Sequence, residues 1–76
     1  MRTLKMTGPE LRTLRVSTFG LTQTEFGRIF AVANTTVSFW ERGAAPIPRG
    51  VVIALRQTLG QIRLEELVED ALDERV

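Results

Sequence analysis

An all-α fold of five short helices is what this sequence predicts, and three observations predict it. Thr-x-x-Glu signatures stand at "TGPE" (7–10) and "TQTE" (22–25), each just before an apolar run, where a capping box opens a helix. Gly20, Gly43 and Gly60 follow the periodic stretches, where a left-handed residue commonly ends one. Between these marks, apolar residues recur at three- and four-residue spacing.

The first helix opens with Thr7 as cap, Pro9 in the first turn and Glu10 reaching back, and Leu11 and Leu14 form its apolar edge. Gly20 ends it, with Leu21 placed for the hydrophobic contact that often follows. Thr22 and Glu25 open the second helix, whose Phe26, Ile29 and Phe30 are expected to bury one face. It is short, because the next capping candidates arrive at Ala33 and Asn34. A third helix is expected from about 34 to 42, stopping at Gly43. The two-proline loop "GAAPIPRG" leads to Pro48, which opens a fourth helix with a buried stripe of Val51, Val52, Leu55 and Leu59, ended by Gly60. Leu64, Leu67, Val68, Ala71 and Leu72 then mark an amphipathic fifth helix with acids between them. "MRTLKM" reads equally as a flexible arm or a short strand. The expectation is one domain over 1–76, with a core at 7–60 and a C-terminal helix at 61–76.

A chain of 76 residues buries only roughly 60% of its unfolded surface, so small domains commonly lean on disulfides, a metal or a second subunit. Cysteine, histidine and tyrosine are absent, which removes disulfides, the usual zinc sites, thiol nucleophiles and the commonest general base. No metal or cofactor is expected, and dimerisation is the stabilising route left. There are no paired carboxylates in an evident apolar pocket, no glycine-rich phosphate loop and no nucleophile–base arrangement, so an enzyme is the poorest reading. No apolar run approaches the roughly 20 residues of a membrane span, and the start has no signal-peptide core, so a soluble cytoplasmic protein is expected.

The net charge of +1 hides a division. Residues 1–60 carry eight Lys or Arg against Glu10, Glu25 and Glu41, giving +5. Residues 61–76 carry Arg63 and Arg75 against six acids, giving −4. A basic body with an acidic tail suggests a polyanion on one side and a different partner on the other.

The third helix carries Phe39 and Trp40 side by side, and neighbours on a helix point about 100° apart. Asn34, Thr35, Ser38, Phe39 and Arg42 fall within one arc of about 140°. Thr36, Val37 and Trp40 fall on the other side, so Val37 and Trp40 are expected in the core while Phe39 is the apolar member of a polar outward stripe. Two short helices, a tight turn and an outward polar stripe describe a helix-turn-helix unit.

"LTQTEFGRIFAVANTTVSFWERG" resembles the Cro and lambda-repressor type of helix-turn-helix domain. Leu21, Thr22, Gln23, Glu25, Phe26, Gly27, Phe30, Val32, Thr36, Val37, Ser38, Trp40, Glu41 and Gly43 fit its pattern in register, and the helical outline extends the likeness over roughly residues 8–60. The fold implied is a five-helix lambda-repressor-like domain, with Gly27 small so that two helices approach. Three departures stand out. Ala31 replaces the usual turn glycine, costing about 1 kcal/mol if its φ is positive. Ala33 replaces the usual Ser cap, so Asn34 is expected to cap instead with the helix start slipping by one. The stretch from "LRTLR" to Gly20 is one residue longer than the common pattern.

The resemblance implies a double-stranded DNA partner, with the third helix in the major groove. It makes Gln23 a candidate phosphate or base contact, Asn34 and Thr35 the first groove-facing residues, and Ser38 and Phe39 one turn further in. Asn suits an adenine edge, hydroxyls take either role, and an apolar ring touches a thymine methyl. Arg42 and Arg49 read as phosphate clamps. The alternatives are that Phe39 packs under residues 44–47, that Arg49 is a solvated charge, and that Gln23 only supports its helix start. Arg15 and Glu41 read as an internal ion pair joining helices.

Relatives of this kind act as symmetric dimers on inverted repeats, so Leu64, Leu67, Val68, Ala71 and Leu72 are candidates for a homodimer contact; the alternative is that this stripe folds back on its own core. The leading expectation is a small repressor that controls its own operon, of the kind found in phages and mobile elements, including antitoxins and regulators beside anti-CRISPR genes. The rival is a protein-binding module that grips a partner such as a toxin or nuclease.

Overall fold

The computed structural model describes residues 5–60 together with Val68, Ala71 and Leu72. The described residues are helical with no strand, in the order α1 (Gly8–Thr13, continued by a π-helical turn, Leu14–Thr18), α2 (Gln23–Ile29), α3 (Asn34–Glu41) and α4 (Arg49–Thr58). Of the expected fifth helix, Val68, Ala71 and Leu72 have helical backbone and exposed side chains, whereas Leu64 and Leu67 lie outside the described residues. Two compact units are present, one spanning Met6–Ile47 and the other holding Lys5 and the described residues from Pro48 onward.

In the first unit, both capping boxes form as their spacing predicts. The Glu10 amide donates to Thr7 Oγ1 at 3.2 Å while the Thr7 amide donates to Glu10 Oε1 at 3.3 Å. The Thr22–Glu25 pair repeats this at 3.1 and 2.9 Å, and the amide and hydroxyl of Thr22 hold the Glu25 carboxyl below the usual carboxylate range.

The stretch ahead of Gly20, where the resemblance suggested one surplus residue, is a π turn. Phe19 N–H donates to Leu14 C=O at 2.9 Å, a five-residue step in place of the α-helical four, so the turn holds one more residue than an α-helical turn does. Gly20 then takes the left-handed conformation with φ 64°, and Leu21 N–H reaches back to Arg15 C=O at 2.9 Å.

The turn from α2 to α3 is a Schellman motif with alanine at the left-handed position. Ala31 has φ 56°; its N–H approaches Arg28 C=O at 3.4 Å, and Val32 N–H donates to Gly27 C=O at 2.9 Å. A Cβ built on Gly27 would sit 2.5 Å from the Val32 carbonyl oxygen, so only glycine lets the incoming chain lie this close to α2. Gly8 has the same role in α1: a Cβ there would collide with the backbone carbonyls of Trp40 and Glu41 at the end of α3. α3 thus packs against both α1 and α2, and Leu11, Phe26, Val37 and Trp40 are the buried apolar residues of this unit.

Two expectations for these helices are corrected. Ile29 is 63% exposed rather than part of a buried face. The buried residues of α2 are Phe26 and Gly27, so its inward direction bisects them and lies about 110° from Ile29. Phe30 is half-buried, with its ring 5.0 Å from that of Phe26. Asn34 does not cap α3: Ala33 holds the extended cap conformation (φ −72°, ψ 155°) and supplies no side-chain hydrogen bond, while Asn34 is the first helical residue. Residue 33 follows the tight turn in the extended geometry that a cap needs, so backbone position decides the start.

A charged fork crosses this unit. Arg15 Nε and Nη2 donate to the two carboxylate oxygens of Glu41 at 2.5 and 3.0 Å, and Nη1 donates to Leu21 C=O at 2.9 Å. The side chains are 10% and 5% exposed, so the internal ion pair expected from the sequence joins the π turn, the loop before α2 and the end of α3. Burial works against the Glu41 charge, but the hydrogen bonds from Arg15 and Gln23 and the charges of Arg15 and Arg12 outweigh it and hold its carboxyl below the usual value. The Glu41 hydrogen bond raises the Arg15 pKa against the opposing cost of its own burial.

In the second unit, Pro48 is the N-cap of α4, and Val51, Val52 and Leu55 are buried as their spacing predicts, with Leu59 half-buried. Arg56 Nη2 donates to the Lys5 carbonyl at 2.6 Å and ties the chain ahead of α1 to this helix.

Two stability outcomes are expected. Ala31→Gly relieves the left-handed alanine at the cost of some unfolded-chain entropy, so it should stabilise by about 1 kcal/mol in urea unfolding; a loss would show that Ala31 is unstrained. Glu41→Gln leaves a buried guanidinium without its counter-charge and should cost about 3 kcal/mol near neutral pH. Because folding depresses the Glu41 pKa, that cost is complete above the ordinary glutamate value of 4.5 and shrinks as pH falls through the depressed one. Parallel wild-type and variant curves between pH 7 and pH 2 would contradict the coupling.

Candidate nucleic-acid interface

The outward stripe of α3 follows from how its inward side is held. Val37 is fully buried and Trp40 is 5% exposed, so the helix cannot rotate without exposing the indole. Glu41, next in sequence, is clamped by Arg15, which fixes the same rotation from the other flank. What remains outward is Asn34, Thr35, Phe39 and Arg42, all exposed, with Ser38 half-buried beside them.

Phe39 is 45% exposed, so it is not packed away beneath the loop at 44–47. Its carbonyl accepts the amides of Ala44 at 2.9 Å and Ala45 at 3.3 Å, so the loop is tied to the backbone of residue 39 while the ring stays outside. Arg42 lies over that ring, with Cζ 5.1 Å from the centroid, and its Nε approaches the Ser38 carbonyl at 3.4 Å. The helix ends in a second Schellman-type turn, with Gly43 at φ 75° and its N–H on Trp40 C=O at 3.2 Å.

Gln23, the first residue of α2, is half-buried, and its Nε2 donates to Glu41 Oε1 at 3.3 Å. It therefore belongs to the charged network and also borders an open cavity of about 280 Å³ lined by Arg12, Arg15, Gln23, Ser38, Glu41 and Arg42. Three guanidinium groups against one carboxylate make that cavity cationic. Arg12 is a wall residue that motif matching passes over; its signal in the sequence is the i, i+3 spacing to Arg15 on one helix face.

Gln23, Asn34, Thr35, Ser38, Phe39 and Arg42 are thus carried by one compact unit, four of them on α3 and Arg42 at its C-cap. Arg49 belongs to the other unit, where it is exposed as the first residue of α4. A cation there works against the helix dipole, which favours negative charge at an N-terminus. Among the described residues no cluster of His, Cys, Asp or Glu could hold a metal ion, and no helix is long and apolar enough to cross a membrane.

The geometry is that of two helices joined by a tight turn, the second anchored on one side and polar on the other. A helix-turn-helix family model, HTH_3, matches residues 11–67, three quarters of the chain. No curated protein and no solved structure matches. The matched region includes both helices of the motif, the π turn and α4, and the family's type is that of DNA-binding transcription regulators. The chain belongs to the helix-turn-helix family of the lambda-repressor type.

Proposed function

We propose that this protein is a sequence-specific transcription regulator, a small homodimeric repressor of its own operon that reads an inverted repeat through the major groove. The observation that carries this reading is the two-sidedness of α3: a buried Val37 and Trp40 opposite an exposed Asn34, Thr35, Phe39 and Arg42. An α-helix enters the major groove with one face toward base edges, and this stripe has the chemistry for it.

With Ala33 at the cap, the Asn34 amide is not used to cap α3, and it suits the N6 and N7 edge of adenine. Thr35 and Ser38 offer hydroxyls that donate or accept. Phe39 offers an apolar ring for a thymine methyl. Gln23 and Arg49 are assigned to phosphates, which set register without reading sequence.

A single module of this size covers too little DNA for a tight specific complex. The apolar Val68 and Leu72, each about half exposed, with Leu64, Leu67 and Ala71, are assigned to a contact between two copies. The excess of acids over 61–76 keeps that segment from the phosphates. The resemblance further supports a phage or mobile-element origin.

Selection from a randomised duplex library tests the reading as a whole. Wild type is expected to enrich two inverted half-sites centred about 34 Å apart, and enrichment of lone half-sites would remove the dimer. Asn34→Ala and Phe39→Ala should each relax one position of the half-site, a change of about 1–3 kcal/mol there. Arg49→Ala should weaken all sequences alike and lower the salt slope by about 1. Unchanged preference in both α3 variants would eliminate the readout.

A further inference from the structure

Arg42 stands at the end of α3, yet its guanidinium does not extend from there. The side chain runs back toward the helix N-terminus, as long helical side chains prefer, so that Nε approaches Ser38 C=O at 3.4 Å and Cζ sits 5.1 Å from the centre of the Phe39 ring. The charged fork therefore lies one turn before its own Cα, on the outward stripe and beside its apolar member. Glu41, the nearest acid in sequence, is engaged on both oxygens by Arg15, and among the described residues Arg42 has no ion-pair partner. Among the described residues its side-chain hydrogen bond is a long one from Nε, which leaves the four N–H groups of Nη1 and Nη2 for a partner.

We infer that Phe39 and Arg42 act as one reading unit for a thymine–guanine step, Arg42 forking onto guanine O6 and N7 while Phe39 packs on the adjacent C5-methyl group. This assignment rests on the groove reading of α3 and gives Arg42 a base-specific role in place of a phosphate contact. In the major groove a guanidinium fork matches guanine, the base with two acceptors side by side, and the C5-methyl is the apolar feature of thymine. Neighbouring bases stack at a rise of about 3.4 Å with lateral offset across the groove, which suits two groups 5.1 Å apart. The ring restricts the guanidinium before DNA arrives, so less side-chain freedom is lost on binding, and the cation–ring attraction strengthens when water leaves the interface. A 5-methylcytosine followed by guanine presents the same two features and is read the same way; unmodified cytosine lacks the methyl.

The test alters single atoms of the DNA, so that protein folding does not enter. Wild type is first required to select a site by library enrichment, and the thymine–guanine step in it is then probed. Replacing guanine by 7-deazaguanine removes N7, and replacing thymine by deoxyuridine removes the methyl. Each should weaken wild-type binding, the first by about 5-fold to 150-fold. Arg42→Ala removes the fork, so it should bind guanine and 7-deazaguanine sites alike. Phe39→Ala should lose the distinction between thymine and deoxyuridine, and wild type should prefer 5-methylcytosine to cytosine at that position. A selected site without the step overturns the inference, as do penalties of wild-type size in Arg42→Ala. So does an Arg42→Ala that only lowers the salt slope by about 1 across all sequences, the behaviour of a phosphate clamp. In each of these cases sequence-selective binding survives and the groove reading stands. A wild-type protein with no sequence preference overturns both.

Discussion

The rotation of α3 is the constraint on which the rest of this structure depends, and the Arg15–Glu41 fork holds it. Trp40 alone would anchor the helix by an apolar contact that tolerates some turning. Glu41 adds direction, because both of its oxygens are engaged by one planar guanidinium that is itself held at the Leu21 carbonyl. A buried fork of this kind contributes little net stability compared with an apolar pair, but breaking it leaves a charge stranded, so it favours one arrangement over its neighbours. The consequence appears on the opposite side of α3, where Asn34, Thr35, Ser38, Phe39 and Arg42 line up outward.

Close backbone approach supports that constraint. Gly8 lets the first turn of α1 lie against the carbonyls that end α3, and Gly27 lets the inter-helix turn lie against α2. Neither position has room for a methyl group. Ala31 takes the left-handed turn without glycine's freedom and leaves strain there, while Gly20, Gly43 and Gly60 take theirs with no clash to avoid. The π turn belongs with these devices: it carries Arg15, which faces Glu41.

Much of this is legible in the sequence where local chemistry decides. The two capping boxes, the left-handed glycines, the inward Trp40 and Val37, and the Arg15–Glu41 pair are readable because each needs only its own spacing or a match to the family pattern. The π turn is not legible, since nothing in "LRVSTFG" says which hydrogen bond lengthens its step. Ile29 misleads because three apolar residues at i, i+3 and i+4 fit two burial directions, and the packing of Gly27 chooses between them. Asn34 misleads because capping preference is a side-chain property, whereas the turn had already placed Ala33 in the cap conformation. Of the interface, the membership of the stripe is readable from helical period. The placement of Arg42 on Phe39 is not, because it depends on a rotamer rather than on register.

On the proposed reading, recognition and support are separated on one eight-residue helix. Val37, Trp40 and Glu41 are committed to the fold, so substitutions at the outward residues carry little cost to the core. The most direct measurement of this division is a backbone amide NMR titration of the full chain with its selected duplex. The amides of Asn34, Thr35, Ser38, Phe39 and Arg42 are expected to shift most, while the Trp40 indole N–H keeps its environment. Shifts confined to other segments, with α3 unmoved, would contradict the account.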